Sequence, residues 1–341
     1  MRKPTLRDVA QLAKVAPGTV SAILNKSPRD YSSAEVRERV SRVARELGYR
    51  PNRLAQSLRR QSTQTVAVMH KNRTIEILRW QMMGLAERAS QLGYQLLVAY
   101  DRDMRQCVET LLDYRVDGVI WQTDAPESLE LLEMLRATHV PVVTMHGSPL
   151  MEEVSSVDSD HVAGMRAAVK YLVGLGHRRV GVAFGGLATA FEARLAGVRS
   201  GLFEHGLSLS PADLHQVELG PNGSEDAFSG GNQLGKRFAQ MKDRPTAMLM
   251  GNDELAMGFI RGFHDSGLRV PRDISIVGFD GIKAAPYWEV PLTTVAQARQ
   301  QVGVMAMDLL VERIADPTAP PRHVMLPTEL VIRASCGQAP V

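Results

Sequence analysis

Short apolar runs alternate with amphipathic stretches from about residue 64 to the C-terminus. Runs such as Val116–Trp121 and Ile274–Phe279 are rich in β-branched residues, which predicts buried strands. Helical stretches, for example Ile77–Leu92 and His161–Leu175, fall between the runs. This alternation predicts parallel, doubly wound sheets, and roughly 280 residues are enough for two such subdomains. The other predicted strands are Val66–Met69, Leu96–Tyr100, Val140–Met145, Val180–Phe184 and Ala247–Met250.

The first 60 residues differ in charge from the rest of the chain. They contain 14 Lys and Arg against 5 Asp and Glu, whereas the remainder contains 26 basic and 32 acidic residues. A basic segment joined to an acidic body indicates a polyanionic partner such as nucleic acid. A solvated basic surface is the alternative interpretation.

Three short helices are predicted in this basic segment. Thr5 can cap the first helix, and Pro17 suits the first turn of the second. The residues 32–35 have the spacing of a capping box and open a third helix, which Gly48 and Pro51 end. The tight turn between the first two helices describes a helix-turn-helix unit, whose second helix enters the major groove of DNA. A generic helical bundle fits the same periodicity.

Specific residues in this segment indicate more than the helical periodicity does. They are Thr5-Leu6-Arg7-Asp8-Val9-Ala10, Val15, Thr19-Val20-Ser21, Asn25, Leu47-Gly48-Tyr49-Arg50-Pro51-Asn52, Ala55 and Leu58. Together they resemble the DNA-binding head of the LacI family of transcriptional regulators, and the resemblance continues through the rest of the chain. It implies an α-helical helix-turn-helix domain at 1–50, a hinge helix and linker at 51–63, and an effector-binding and dimerisation core at 64–341.

The resemblance assigns DNA contacts to the second helix. The positions that commonly read bases hold Pro17, Gly18 and Ala22, so readout is expected to be poor in hydrogen bonds and limited to an apolar contact from Ala22. Thr19, Ser21 and Asn25 are expected to contact phosphates, which positions the head without reading sequence. Thr5 is assigned to the same interface.

The hinge carries the remaining predicted DNA contacts. It resembles the family's hinge helix, which folds when two copies meet in the minor groove. Leu58 matches the leucine that wedges into a central base step and kinks the duplex; the alternative is that Leu58 packs inside a structured linker. Asn52, Ala55 and Arg59 complete the contacts assigned to this segment.

The core resembles the periplasmic-binding-protein-like core of the same family. The resemblance implies two doubly wound parallel-sheet subdomains, with crossings near residues 160, 292 and 326 and a ligand cleft between them. The first subdomain would contain residues 64–160 plus 293–325, and the second 161–292 plus 326–341. The matching stretches are Val116–Ile120, Leu175–Val180, Gly251–Asp253, Val270–Asp280 and Pro291–Val295.

Five residues are candidates for effector binding. Arg194, Asn252 and Asp280 match positions at which relatives hold ligand oxygens and hydroxyls, although each could instead make an internal structural bond. His146 stands where a family member can carry a ligand-binding Asp. Trp288 is a candidate aromatic surface, with core packing as its alternative.

The class of effector follows from the same resemblance. A sugar or sugar acid is the expected effector, and non-sugar ligands and corepressor-type control remain alternatives. The stretch 70–80 lacks the aromatic pair that often stacks on a sugar ring in relatives.

Other classes of function find little support in the sequence. No run approaches the ~18 apolar residues of a membrane span, and no signal peptide is expected, which argues against a transport-type solute-binding protein. No nucleophile, acid–base pair, metal-ligand cluster or cofactor motif can be named, so we expect no enzyme activity, no cofactor and no metal. The stretch Gly230-x-x-x-x-Gly235-Lys236 resembles part of a P-loop, but Arg237 replaces its Ser or Thr.

The expected assembly is a cytoplasmic homodimer on a pseudo-palindromic operator in double-stranded DNA. Only two cysteines occur, Cys107 and Cys336, which argues against a disulfide framework and favours a reducing compartment. No leucine-heptad tail follows the predicted strand at Thr328–Ile332, so a dimer is favoured over a tetramer.

Overall fold

The computed structural model describes residues 4–25, 30–50, 62–70, 75–100, 103–122, 128–145, 153–185, 189–217 and 226–340. The chain forms two compact units, Met1–Thr63 and Gln64–Val341.

The described part of the N-terminal unit forms three helices, α1 Leu6–Ala13, α2 Pro17–Leu24 and α3 Ala34–Glu46. Their apolar faces meet in one small cluster that includes Val9 and Val40. The predicted helix-turn-helix head is therefore confirmed.

The starts of the first two helices follow from their residues. The Thr5 hydroxyl oxygen accepts a hydrogen bond from the Asp8 amide, and the Asp8 carboxylate accepts one from the Thr5 amide at 2.7 Å. This reciprocal pair satisfies two amides that a helix start leaves unbonded. Helix α2 has no side-chain cap because Ala16 precedes it, and it begins instead with Pro17.

Helix α3 begins one residue later than predicted. Ser33 is its cap, and its hydroxyl oxygen accepts a hydrogen bond from the Val36 amide at 3.3 Å. The predicted capping box between Ser32 and Glu35 is therefore wrong. The Asp30 carboxylate accepts a hydrogen bond from the Ser32 amide at 3.0 Å, which keeps Ser32 in the preceding turn.

The first sheet of the core has six parallel strands in the order β11-β5-β4-β3-β1-β2. Its strands are β1 Thr65–His70, β2 Gln95–Tyr100, β3 Gly118–Gln122, β4 Val142–Met145, β5 Ser155–Ser159 and β11 His323–Leu326. The helices of this half are α4 Ile75–Gln91, α5 Met104–Asp113, α6 Ser128–Ala137 and α11 Arg299–Ala315. One apolar cluster joins α4 and α11 to one face of the sheet, and another joins α5 and α6 to the other face.

The second sheet has the order β12-β10-β9-β8-β6-β7, with only β12 antiparallel to its neighbour. Its strands are β6 Val180–Gly185, β7 Leu214–Val217, β8 Ala247–Met250, β9 Ser275–Asp280, β10 Thr293–Ala296 and β12 Glu329–Val331. Helices α7 His161–Gly174 and α8 Thr189–Glu204 pack on one face, and α9 Ala227–Gln240 and α10 Asp253–Asp265 pack on the other. Two doubly wound sheets with helices on both faces match the predicted α/β core.

The chain crosses between the two sheets three times. It leaves the first sheet after Ser159, returns to it after Ala296 and leaves it again after Leu326. The sequence assigned residues from 293 onward to the first subdomain, but Thr293–Ala296 pairs in parallel with β9 of the second sheet. Strand pairing therefore keeps this segment in the second half of the core, and the crossing lies a few residues later.

Close helix packing explains two glycines of the P-loop-like stretch, Gly231 and Gly235. Gly231 and Gly235 of α9 and Gly258 and Gly262 of α10 lie where the two helices meet, and a Cβ on any of them would overlap a backbone carbonyl oxygen of the other helix. These glycines let the two backbones approach each other. In the described part of the chain, no helix is long and apolar enough to cross a membrane.

Candidate functional site

The order of the strands reverses once within each sheet. The reversal lies between β1 and β3 in the first sheet and between β6 and β8 in the second. Open parallel sheets bind ligands beyond the carboxyl ends of their strands next to such a reversal. Strands β1 and β3 end there at His70 and Gln122, β6 ends at Gly185, and Gly251 follows β8.

Arg194 on α8 extends to the carboxyl end of β8. Its guanidinium donates hydrogen bonds to the Gly251 carbonyl oxygen and to His161 Nδ1, the latter at 3.3 Å. It also lies 4.0 Å above the centre of the Phe279 ring and 4.0 Å from the Asp280 carboxylate. Burial lowers the pKa of Arg194, and the neighbouring carboxylates oppose this shift.

Asp280 is the last residue of β9 and is buried. Its carboxylate accepts a hydrogen bond from Gln297 Nε2 at 2.6 Å, and its carbonyl oxygen accepts one from the Arg299 guanidinium. The backbone φ of Asp280 is +119°, a value that residues other than glycine rarely adopt. Strained residues of this kind concentrate at functional sites.

Asp253 starts α10 and is completely buried. Its carboxylate accepts hydrogen bonds from the Thr294 hydroxyl at 2.5 Å and from the Ile282 amide at 2.8 Å. Burial, and then the negative charge of Asp280, raise the pKa of Asp253 to about 7. The carboxyl group therefore changes its protonation state near neutral pH.

A third carboxylate comes from the first sheet. Asp158 Oδ1, on β5, lies 3.1 Å from His161 Nε2 and accepts a hydrogen bond from the Ser159 amide at 2.7 Å. Because His161 also contacts Arg194, a series of polar contacts runs from the first sheet through Asp158, His161 and Arg194 to Asp280 in the second. This series links the two halves of the core where their strands end.

The structure brings some of the predicted effector residues together and separates others. Arg194 and Asp280 are neighbours in the polar series. Asn252 caps α10, because its Oδ1 accepts a hydrogen bond from the Leu255 amide at 2.7 Å. His146 lies outside the described residues.

Trp288 packs in the core of the second subdomain. Its ring meets the ring of Phe228 edge-on, with 5.5 Å between the centroids, and it lies against the apolar cluster beneath α9 and α10. Its Nε1 is buried without a hydrogen-bond partner among the described residues. These contacts favour the alternative of core packing over an aromatic ligand surface.

Four site residues were absent from the sequence prediction: Asp158, His161, Asp253 and Arg299. Asp253 stands beside the candidate Asn252, so a charged residue after an apolar strand was an available signal. Asp158 lies in Ser155–Ser159, a polar stretch that composition alone does not identify as a buried strand. Arg299 follows a crossing, where no periodic pattern indicates which way its side chain turns.

An aromatic residue near the junction was also missed. The Lys283 ammonium, beyond β9 of the second sheet, lies 4.3 Å from the centre of the Trp80 ring on α4 of the first half. This cation–π contact joins the two halves. It places an aromatic side chain of the first half at the junction, within the stretch 70–80 that lacks the aromatic pair of relatives.

The second helix of the N-terminal unit presents the residues predicted to meet DNA. Pro17 and Gly18 are exposed, and no atom lies within 4 Å of the position that a Cβ on Gly18 would occupy. Asn25 Nδ2 lies 3.1 Å from Ser21 Oγ, which fixes two of the predicted phosphate ligands relative to each other. Thr19 and Ala22 are half-buried, and Thr5 is exposed.

The hinge residues Asn52, Ala55, Leu58 and Arg59 lie outside the described part of the chain. Their contacts with DNA stay predictions.

Two family models match the chain. The model described as bacterial regulatory proteins of the lacI family matches residues 5–52, and one described as a periplasmic binding protein-like domain matches residues 169–336. The first match covers the helix-turn-helix head. The second match covers most of the second subdomain and also helix α11 of the first half.

Curated proteins and solved structures match over nearly the whole chain. The ribose operon repressor of Escherichia coli strain K12 is 30% identical, and the match covers 97% of this chain and 99% of that protein. A transcriptional repressor named PurR from Vibrio atlanticus is 31% identical, with 97% and 98% covered.

Two solved structures show the same arrangement of elements. The lac repressor dimer bound to operator and the anti-inducer ONPF superposes with a TM-score of 0.85 at 29% identity, covering 98% of this chain and 99% of that one. The complex of the transcriptional regulator CelR with cellobiose gives a TM-score of 0.70 at 31% identity, with 97% and 99% covered. The helical head, the two-sheet core and these relatives together show that the chain belongs to the lacI family of bacterial regulatory proteins and is a DNA-binding transcriptional regulator, not an enzyme.

Proposed function

We propose that this protein is a cytoplasmic transcriptional repressor that binds a pseudo-palindromic operator as a homodimer and is controlled by a small molecule held between the two halves of its core. A sugar or sugar acid is the expected class of effector. Arg194 and Asp280 are proposed as its principal ligands, with Asn252 contributing its amide group.

The polar series between the two sheets is the observation that carries this proposal. Asp158 of the first half and Asp280 of the second are buried, and the Arg194 side chain is only 13% exposed. Their contacts run from one half of the core to the other. A ligand that bonds to members of both halves favours one relative orientation of the halves over another. It changes DNA affinity only if it binds those orientations with different affinity.

The relatives support the class of effector. Their names refer to a ribose operon and to cellobiose, and the lac repressor was solved with operator DNA and an anti-inducer. Sugars carry many hydroxyl groups, which match a site rich in carboxylate oxygens and guanidinium donors.

The test is operator affinity measured with and without each member of a metabolite library. A pseudo-palindromic operator is first selected from random duplexes with the full-length protein. A compound that weakens the complex identifies an inducer, and one that strengthens it identifies a corepressor. If no compound changes operator affinity and none stabilises the protein against heat, effector control is wrong.

A further inference from the structure

Arg299, the first residue of α11, is a buried cation that the predicted site does not include. It is 5% exposed and follows the second crossing between the two sheets. Its guanidinium donates a hydrogen bond to the carbonyl oxygen of Asp280. Its Nε is buried and has no hydrogen-bond partner within the described ranges.

The charge of Arg299 is compensated less directly than that of Arg194. Arg194 faces the carboxylate of Asp280 at 4.0 Å, whereas the bond that Arg299 makes within the described residues goes to a neutral carbonyl oxygen. No ion pair to Arg299 occurs among the residues that the structure describes. A buried guanidinium with an unbonded N–H is unfavourable unless an acceptor is supplied.

The carboxylates of the site have hydrogen-bond partners other than Arg299. Asp158 accepts from the Ser159 amide and contacts His161, and Asp280 accepts from Gln297. Both oxygens of Asp253 accept hydrogen bonds, and the pKa of this residue is about 7, so its negative charge is only partial near neutral pH. Asp253 interacts with the charge of Arg299 through space, and none of the three carboxylates bonds to Arg299 Nε.

A second buried polar group near a crossing also lacks a partner. The hydroxyl of Ser159, the last residue of β5, is fully buried and has no hydrogen-bond partner in the described chain. Ser159 and Arg299 therefore each place an unsatisfied donor where the chain passes from one sheet to the other. A ligand oxygen between the halves would satisfy such donors.

We propose that Arg299 is a further effector-binding residue and that the effector carries an acidic group, a carboxylate or a phosphate, held by the Arg299 guanidinium. This inference rests on the proposed function, because it concerns the same site. An acidic oxygen supplies both the missing acceptor and the missing negative charge, and charge-assisted hydrogen bonds of this kind are stronger than neutral ones. A neutral hydroxyl would supply only the acceptor.

The test uses matched neutral and acidic probes with the full-length protein. D-ribose is compared with D-ribonate and D-ribose 5-phosphate, and D-glucose with D-gluconate and D-glucose 6-phosphate, by calorimetry and thermal shift. At least one acidic probe is expected to bind more tightly than its neutral counterpart. The carboxylate and phosphate members of each series identify which acidic group is recognised.

Three variants distinguish the loss of the positive charge at residue 299 from a loss of folding. Arg299→Gln is expected to weaken binding of the acidic probe by about 10- to 100-fold, the loss of a hydrogen bond to a charged group, and to weaken binding of the neutral probe by a smaller factor. Arg299→Lys keeps the charge but not the Nε–H, so it should retain part of the affinity and verify that the site still folds. Arg272→Gln is the control, because Arg272 is exposed and pairs with Asp273.

Two outcomes overturn the inference. Either no acidic probe binds more tightly than its neutral counterpart, or Arg299→Gln binds acidic probes as the wild type does. In both cases a neutral compound that still changes operator affinity would leave the proposed function intact. Loss of every effect of small molecules on operator affinity would instead contradict the proposed function itself.

Discussion

Five charged side chains lie close to the junction of the two halves of the core, away from water. Arg194, Arg299, Asp158, Asp253 and Asp280 are all largely excluded from water. Because the charged form of a group loses solvation on burial, each of them depends on a few specific partners. Substitutions that preserve shape but change charge are therefore the most informative.

Asp280→Asn tests the predicted hydroxyl acceptor. Asparagine has the same size and tolerates positive φ, so the strained backbone of Asp280 is kept. Loss of the negative charge should weaken effector binding by about 1–1.5 kcal/mol, the difference between a hydrogen bond to a charged acceptor and one to a neutral acceptor. The measurement is calorimetric affinity for the effector identified in the library, paired with its effect on operator binding. Wild-type affinity in this variant would show that Asp280 is not a ligand.

Asp253 should make stability depend on pH. The pKa of about 7 in the folded protein lies above the ordinary value of 3.8, so between about pH 4 and 7 the folded state binds a proton that the unfolded state has lost. The contribution of Asp253 to stability is fully present below about pH 4 and is lost as the pH rises through 7, at most about 1.4 kcal/mol per pH unit.

Urea unfolding of the wild type and of Asp253→Asn at several pH values isolates this effect, since the other titrating groups are common to both. The difference in unfolding free energy, wild type minus variant, should fall from pH 5 to pH 7 and level off above it. The exposed Asp243→Asn serves as the control, because Asp243 is 88% exposed. A pH-independent difference for Asp253→Asn would contradict the raised pKa.

Among the helices of the core, glycine residues determine how closely two backbones can pack. A Cβ on Gly258 of α10 would overlap the Phe228 carbonyl oxygen on α9. Gly258→Ala should therefore lower the free energy of unfolding by about 1–3 kcal/mol or more through overpacking.

Gly174 of α7 provides the matched helical control. No atom lies within 4 Å of its Cβ position, so Gly174→Ala should be neutral or stabilise the protein by about 0.4–1 kcal/mol. Chemical denaturation of both variants makes the comparison. Equal effects of the two substitutions would mean that the α9–α10 contact does not need glycine.

A substitution in the second helix of the head should let the protein recognise an additional base of the operator. Its first exposed positions, Pro17 and Gly18, bring no hydrogen-bonding side chain, and space around Gly18 is open. Gly18→Gln should leave thermal stability nearly unchanged and add a preference for adenine worth about 1–3 kcal/mol at one base pair of each half-site. Selection from randomised duplexes by wild type and variant measures this preference. An unchanged selected sequence would place Gly18 away from the base edges.

At the scale of the whole molecule, the head and the hinge should act only in pairs. The hinge helix predicted within residues 51–60 is too short to be stable alone, so two copies are expected to fold together on DNA. Leu58→Ala should reduce both operator affinity and the bend angle of the complex, because alanine is too short to fill the unstacked base step. Gel mobility of circularly permuted duplexes reports the angle, with half-site duplexes as the control for pairing. An unchanged angle would mean that Leu58 packs only within the linker.

Helices and strands whose signals are local were predictable from the chain before its fold was known. Caps, turns and periodicity identified the three helices of the head, and the β-branched runs identified strands such as Val180–Gly185 almost to their ends. Resemblance to the family identified Arg194 and Asp280 as candidate effector ligands before their positions in the fold were known. The helices and strands depend on residues close together in the chain, which is why pattern alone detects them, whereas the two side chains came from the resemblance.

Contacts between residues far apart in the chain became visible only in the folded core. Ser155–Ser159 is polar, yet it is a fully buried strand because β4 and β11 flank it and satisfy its backbone. Thr293–Ala296 belongs to the second sheet because β9 offers it a parallel partner, and Arg299 turns toward Asp280 because α11 starts at the next crossing. Pairing between strands and the burial of charge are properties of the assembled core, and no local pattern encodes them.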